Sequence, residues 1–116
     1  MAGLSTHVLD TSKGKPAAEL KIELYKILDT EKILIKTVLT NEDGRIDGSL
    51  ISAENLEETH YELLFFAGDY LKNQNSDLKY VFLDKIPIRF FVSNKSEHYH
   101  VPLLLSPFGY STYRGS

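Results

Sequence analysis

The side chains best able to do chemistry are four histidines, an arginine behind a turn, and a polar aromatic tail. His7 lies in Leu4-Ser5-Thr6-His7-Val8-Leu9-Asp10, a segment that reads as a first strand. His98-Tyr99-His100 opens a later apolar run, and His60 precedes another. Residues two apart on a strand share a face. His98 and His100 therefore point the same way, with Pro102 and Leu104 following, while Val101, Leu103 and Leu105 point toward the expected core. Three readings of this pair stand side by side. It is a solvated strand face, or an acid–base pair titrating near neutral pH, or, with a third histidine, a zinc site. No carboxylate or thiol is visibly paired with it.

Arg45 follows the turn signal Asn41-Glu42-Asp43-Gly44. It is either a solvated arginine or a planar cation whose fork of donors holds a flat anionic or carbonyl-rich ligand. The tail Tyr110-Ser111-Thr112-Tyr113-Arg114-Gly115-Ser116 is too polar for a core. It is either a plain edge strand or the lining of a site or interface.

Strands must position these groups. Leu20, Ile22 and Leu24 alternate with Lys21, Glu23 and Tyr25, the period of a half-buried strand. Glu31 to Thr40 is rich in β-branched residues and reads as a second strand. Tyr61–Phe66 and Ile86–Val92 are further strands, and Pro87 suggests an edge strand or a strand-entry position for the latter. His98–Ser106 and Gly109–Ser116 form a hairpin about Pro107-Phe108-Gly109. One short helix is expected over Gly68–Asn73. Six or seven strands in this length make a single all-β domain over residues 1–116, a β-sandwich.

The 116 residues can bury a core unaided. Thirteen basic residues against sixteen acidic ones give a net charge of -3, which argues against a nucleic-acid partner. The absence of cysteine excludes disulfides, thiolate metal sites and a cysteine nucleophile. No stretch is long and apolar enough to span a membrane. The N-terminus lacks the basic and apolar regions of a signal peptide. The expected location is cytoplasmic.

Taken together, these segments resemble the 5-hydroxyisourate hydrolases. The family's Leu-Ser-Thr-His-Val-Leu-Asp stands intact at Leu4–Asp10, with Thr11 and then Pro16-Ala17 behind it. Its Gly-Arg is matched by Gly44-Arg45, its His-Tyr-His-Val-Pro-Leu-Leu by His98–Leu104, and its Tyr-Ser-Thr-Tyr-Arg-Gly-Ser by Tyr110–Ser116. The chain departs from the family at Asn73–Asp84, where Tyr80-Val81-Phe82-Leu83 replaces an aromatic pair and a proline.

The resemblance implies a transthyretin-like sandwich of two sheets with one short helix. It implies a homotetramer, a dimer of dimers, with active sites in the channel where transthyretin holds thyroid hormone. His7, Arg45, His100 and Tyr113 match active-site positions, and His98, Arg114 and Ser116 lie close by in the same motifs. The implied reaction is hydrolysis of 5-hydroxyisourate to 2-oxo-4-hydroxy-4-carboxy-5-ureidoimidazoline, with no metal or other cofactor. The rival from another class is a transthyretin-like carrier of small aromatic ligands, which predicts a channel with few titratable groups.

Overall fold

The computed structural model describes residues 3–116. Met1 and Ala2, used in reading the N-terminus, lie outside the described residues. The elements run β1 (Gly3–Asp10), β2 (Lys15–Pro16), β3 (Lys21–Leu28), β4 (Glu31–Leu39), β5 (Ile51–Ser52), β6 (His60–Phe66), α1 (Ala67–Gln74), β7 (Lys85–Phe91), β8 (His98–Ser106) and β9 (Gly109–Thr112). They form two sheets. One has the order β2-β1-β8-β9, with β5 also pairing β1, and the other β4-β3-β6-β7. Among the described residues this is the two-sheet β-sandwich with one short helix that was expected.

Each sheet turns one face inward. Leu4 and Val8 of β1 and Tyr99, Val101, Leu103 and Leu105 of β8 are buried, opposite Ile22 and Leu24 of β3 and Tyr61, Leu63 and Phe65 of β6. Burying one such side chain contributes about 1.5–3 kcal/mol. The inward Thr6 is kept from being an orphan by donating its hydroxyl to the Val101 carbonyl at 2.7 Å. Asp10 ends β1 inside the core and is 2% exposed. It accepts from the Ser12 N–H and hydroxyl, the Lys13 N–H and, at 2.8 Å, the Tyr70 hydroxyl of α1. Burial alone would raise its carboxyl, but the bonds from Ser12, Tyr70 and Lys13 together hold it below its usual value. The same geometry, burial first and then the Asp10 charge, pushes the Tyr70 phenol well up.

β1 and β8 run parallel, pairing Gly3 with His98, Ser5 with His100 and His7 with Pro102. All other strand pairs are antiparallel. Pro87 does sit on a strand at the end of its sheet. The last strand is shorter than its pattern suggests. The ladder between β8 and β9 runs from Ser106↔Gly109 to Leu103↔Thr112, stops, and resumes at a single bridge, His100↔Gly115. Pro102 is the cause. The Gly115 N–H donates to the His100 carbonyl at 2.7 Å, so the alternation of hydrogen-bonded pairs puts Pro102 at a donor position facing Tyr113. Proline has no N–H to give there. Its carbonyl instead accepts the Thr112 hydroxyl at 2.8 Å.

Candidate active site

The outer face of the β2-β1-β8-β9 sheet gathers the histidines. Leu4, Thr6 and Val8 point inward from β1, so Ser5, His7 and Leu9 point outward. The inward Tyr99, Val101 and Leu103 likewise leave His98 and His100 outward on β8. The parallel register sets Ser5 beside His100. The Ser5 hydroxyl lies 2.8 Å from His100 Nδ1 and 3.1 Å from His98 Nε2. The two imidazoles stack with centroids 6.4 Å apart and planes 14° apart.

Arg45 reaches this face through backbone geometry. The Asn41 side chain accepts from the N–H groups of Asp43 and Arg45, and the Asn41 N–H donates to the Arg45 carbonyl at 2.7 Å. The turn so closed lies against β1, where the Val8 N–H donates to the Gly44 carbonyl at 2.8 Å. Gly44 has φ +75, and a Cβ on it would meet the Val8 carbonyl oxygen at 2.3 Å and His7 Cδ2 at 3.3 Å. Only glycine permits both that conformation and that approach.

The electrostatics converge on His100, which is half-buried. Burial, then the charges of Arg45, His98 and His7, push its imidazole below the usual value. It therefore stays neutral, with a lone pair available, at neutral pH. His98 on the same face is exposed.

The tail divides. Gly115 packs on the His100 ring, where a Cβ would come within 2.6 Å of Cδ2. Ser116 borders a cavity of about 640 Å³ together with His98, Gly3, Leu4 and Ser49. Arg114 is committed elsewhere. Its guanidinium donates to Glu97 and to the His98 carbonyl, each at 3.2 Å, and lies 4.1 Å from the Tyr99 ring centroid. Tyr113 falls opposite Pro102 in the register and is 59% exposed. It borders a groove of about 340 Å³ with Ile88, Phe90 and Phe91, and its hydroxyl meets no partner among the described residues.

Within one chain, then, His7, Arg45, His98 and His100 come together, with Ser116 beside His98. Tyr113 and Arg114 lie apart from them, Tyr113 on the groove with Ile88 and Phe90 and Arg114 against Glu97. His60 is apart from them, at the start of β6 against Phe91. Sequence reasoning missed Ser5. Its signal was present, a hydroxyl two residues before His7 on the same strand face. Among the described residues no three of His, Cys, Asp or Glu gather closely enough to hold a metal ion.

A half-buried imidazole, an exposed guanidinium beside it and a serine hydroxyl make this a β-sandwich that carries a titratable cluster on the outer face of one sheet. The chain belongs to the HIUase/Transthyretin family, whose model matches residues 4–115. It is 54% identical over 114 residues to the 5-hydroxyisourate hydrolase of Mesorhizobium japonicum, covering 97% of this chain and 91% of that one. Among solved structures it is similar to an (S)-allantoin synthase, with a TM-score of 0.90 and 41% identity. That match covers 99% of this chain but spans only 44% of the length of the synthase. It is also similar to transthyretin from Sparus aurata, with a TM-score of 0.87 and 27% identity over 99% of this chain and 97% of that one.

Proposed function

We propose that this protein hydrolyses 5-hydroxyisourate, opening its ring to give 2-oxo-4-hydroxy-4-carboxy-5-ureidoimidazoline. The observation that carries the reading is the convergence of His7, His100 and Arg45 on one sheet face, with His100 held neutral. Water adds to a ring carbonyl carbon, the cyclic C–N bond breaks, and the departing nitrogen takes a proton, so the net change is one water added. His100, assisted by His7, takes the proton from the attacking water. The cationic neighbours that depress its pKa also disfavour double protonation of the pair. A positioned base of this kind contributes roughly 10²–10⁴-fold.

Arg45 anchors the substrate and steadies the developing oxyanion through its fork of donors. His98 and Ser116 complete the substrate-binding rim, while Tyr113 as a further hydroxyl donor, and Arg114, would have to turn from the groove and the Glu97 pairing they hold in the single chain. None of these steps uses a metal or other cofactor. A site on the open face of one small sandwich is shallow. Facing copies deepen it into a channel, which is why the active form is a homotetramer, a dimer of dimers. Among the described residues no helix is long and apolar enough to cross a membrane. We place the enzyme in the cytoplasm, acting on a small molecule without nucleic acid or membrane.

The carrier reading fits the fold but leaves the titratable cluster without a task. The deciding experiment is addition of fresh 5-hydroxyisourate with ultraviolet detection of its decay. Enzyme treated with a chelator should accelerate the decay as well as untreated enzyme does. Decay no faster than in buffer, with ligand retained on the protein, would favour the carrier.

A further inference from the structure

We propose that Ser5 is a proton relay, carrying the proton gained by His100 onward to His98. The proposal rests on reading His100 as the base; it adds Ser5 to that reading and gives His98 a second task. A serine hydroxyl holds one proton and two lone pairs. Between two imidazole nitrogens it donates to one ring and accepts from the other. The distances of 2.8 Å to His100 Nδ1 and 3.1 Å to His98 Nε2 allow both bonds at once. The tautomers of the two rings are then coupled, since the hydroxyl can donate only to the ring whose facing nitrogen is bare and must accept from the other.

In one arrangement His100 Nδ1–H donates to Oγ, and Oγ–H donates to His98 Nε2. His100 Nε2 is then bare and able to take a proton from water. When it does, His100 becomes an imidazolium. It cannot hold that charge easily, since it is half-buried with Arg45 and His7 facing it from neighbouring segments and His98 on its own strand. The Nδ1 proton passes to Oγ while the Oγ proton passes to His98 Nε2. No proton is gained or lost in this step. His100 is left neutral, with its proton on Nε2, and can act as an acid toward the departing nitrogen. The positive charge now rests on His98, which is exposed and surrenders its proton to water. Arg114, the other nearby cation, is bonded to the His98 carbonyl, with the Glu97 carboxylate against it to offset its charge.

The test is Ser5→Ala, with Ser5→Thr as the conservative partner. Two readouts are taken, the pH–rate profile and ¹⁵N spectra of the imidazoles across pH in the free protein. In the wild type the His98 and His100 rings should shift together through each titration step. In Ser5→Ala each ring should titrate separately and the His100 tautomer ratio should move. kcat should fall about ten- to a hundredfold, part of what a positioned base supplies, with KM little changed. Ser5→Thr should restore coupling and rate. His98→Asn removes the far end of the relay and should move the His100 tautomers in the same way if Ser5→Ala does not fold. Unchanged ring titrations or an unchanged kcat in folded Ser5→Ala would overturn the relay. The spectra need no turnover, so coupled rings in a protein inert toward 5-hydroxyisourate would refute the substrate assignment instead.

Discussion

Gly115 closes directly onto His100. Its N–H donates to the His100 carbonyl at 2.7 Å, and its missing side chain leaves the space that the imidazole occupies. A Cβ there would stand 2.6 Å from Cδ2, closer than unbonded carbons tolerate. The tail thus sets the ring's position at the one point where it rejoins the sheet. Gly115→Ala should therefore push the ring aside. Displacements of about 1 Å in a catalytic group cost on the order of a hundredfold. We expect a kcat loss of that order with Tm nearly unchanged, since Gly115 is bonded outside the continuous ladder. Wild-type kcat in this variant would mean that the ring or tail yields without consequence.

The pH dependence follows from the depressed His100 value. Burial, then Arg45, His98 and His7, favour the neutral ring. Activity should hold at neutral pH and fall as the pH drops through a value below the ordinary histidine range. Arg45→Met removes the largest of the charges opposing protonation, so its acid limb should move to higher pH while KM rises. Stability changes in the same sense. A lowered folded-state value contributes stability above the unfolded-state value near 6.5, and this is lost as pH falls through the folded-state value. Thermal melts between pH 7.5 and 5 should show a drop that His100→Asn reduces. An acid limb unmoved in Arg45→Met would contradict the charge argument.

Removal of residues 113–116 separates structure from catalysis. The ladder has already stopped at Thr112, and only Gly115 bridges beyond it. The truncated chain should fold and assemble, as seen by circular dichroism and sedimentation, yet lose turnover. Tyr113→Phe keeps the ring and removes one donor. Loss of a transition-state hydrogen bond typically costs ~10²–10³ in rate. Full turnover in the truncated protein would leave His7, Arg45 and His100 to carry the site alone.

Tyr70 and Asp10 should answer to stability rather than rate. The Tyr70 hydroxyl donates at 2.8 Å to a carboxylate that is 2% exposed. A hydrogen bond to a charged group is worth about 1.5–3 kcal/mol, so Tyr70→Phe should lower unfolding free energy by roughly that amount. kcat should stay within about twofold, because Asp10 faces inward while His7 faces outward. A large kcat loss at unchanged stability would show that the turn after β1 communicates with the site.

Much of the fold was legible because strand patterning is local. Alternation in Leu20–Leu24 and Tyr99–Leu105 reports which face is wet whatever the partner strand. Pro87 marked an edge because a missing donor is a property of the residue itself. For the same reason His98 and His100 could be assigned to one face from spacing alone. The two-residue strands β2 and β5 were not legible, since a period cannot be read from so short a run.

Long-range pairing decided the rest. Nothing between Ser5 and His100, 95 residues apart, states that β1 and β8 run parallel in the register that puts hydroxyl against imidazole. Shifting that register by one residue would turn Ser5 to the other face of the sheet. The glycine at 44 is a turn residue in sequence, and only its approach to Val8 and His7 explains why it must be bare. Pro102 was visible as a residue without a donor. That it interrupts the ladder before Tyr113 follows only once β9 is known to lie beside it. Side-chain type and alternation are written in the chain, whereas distances between strands are set by packing of the two sheets, and the site consists of those distances.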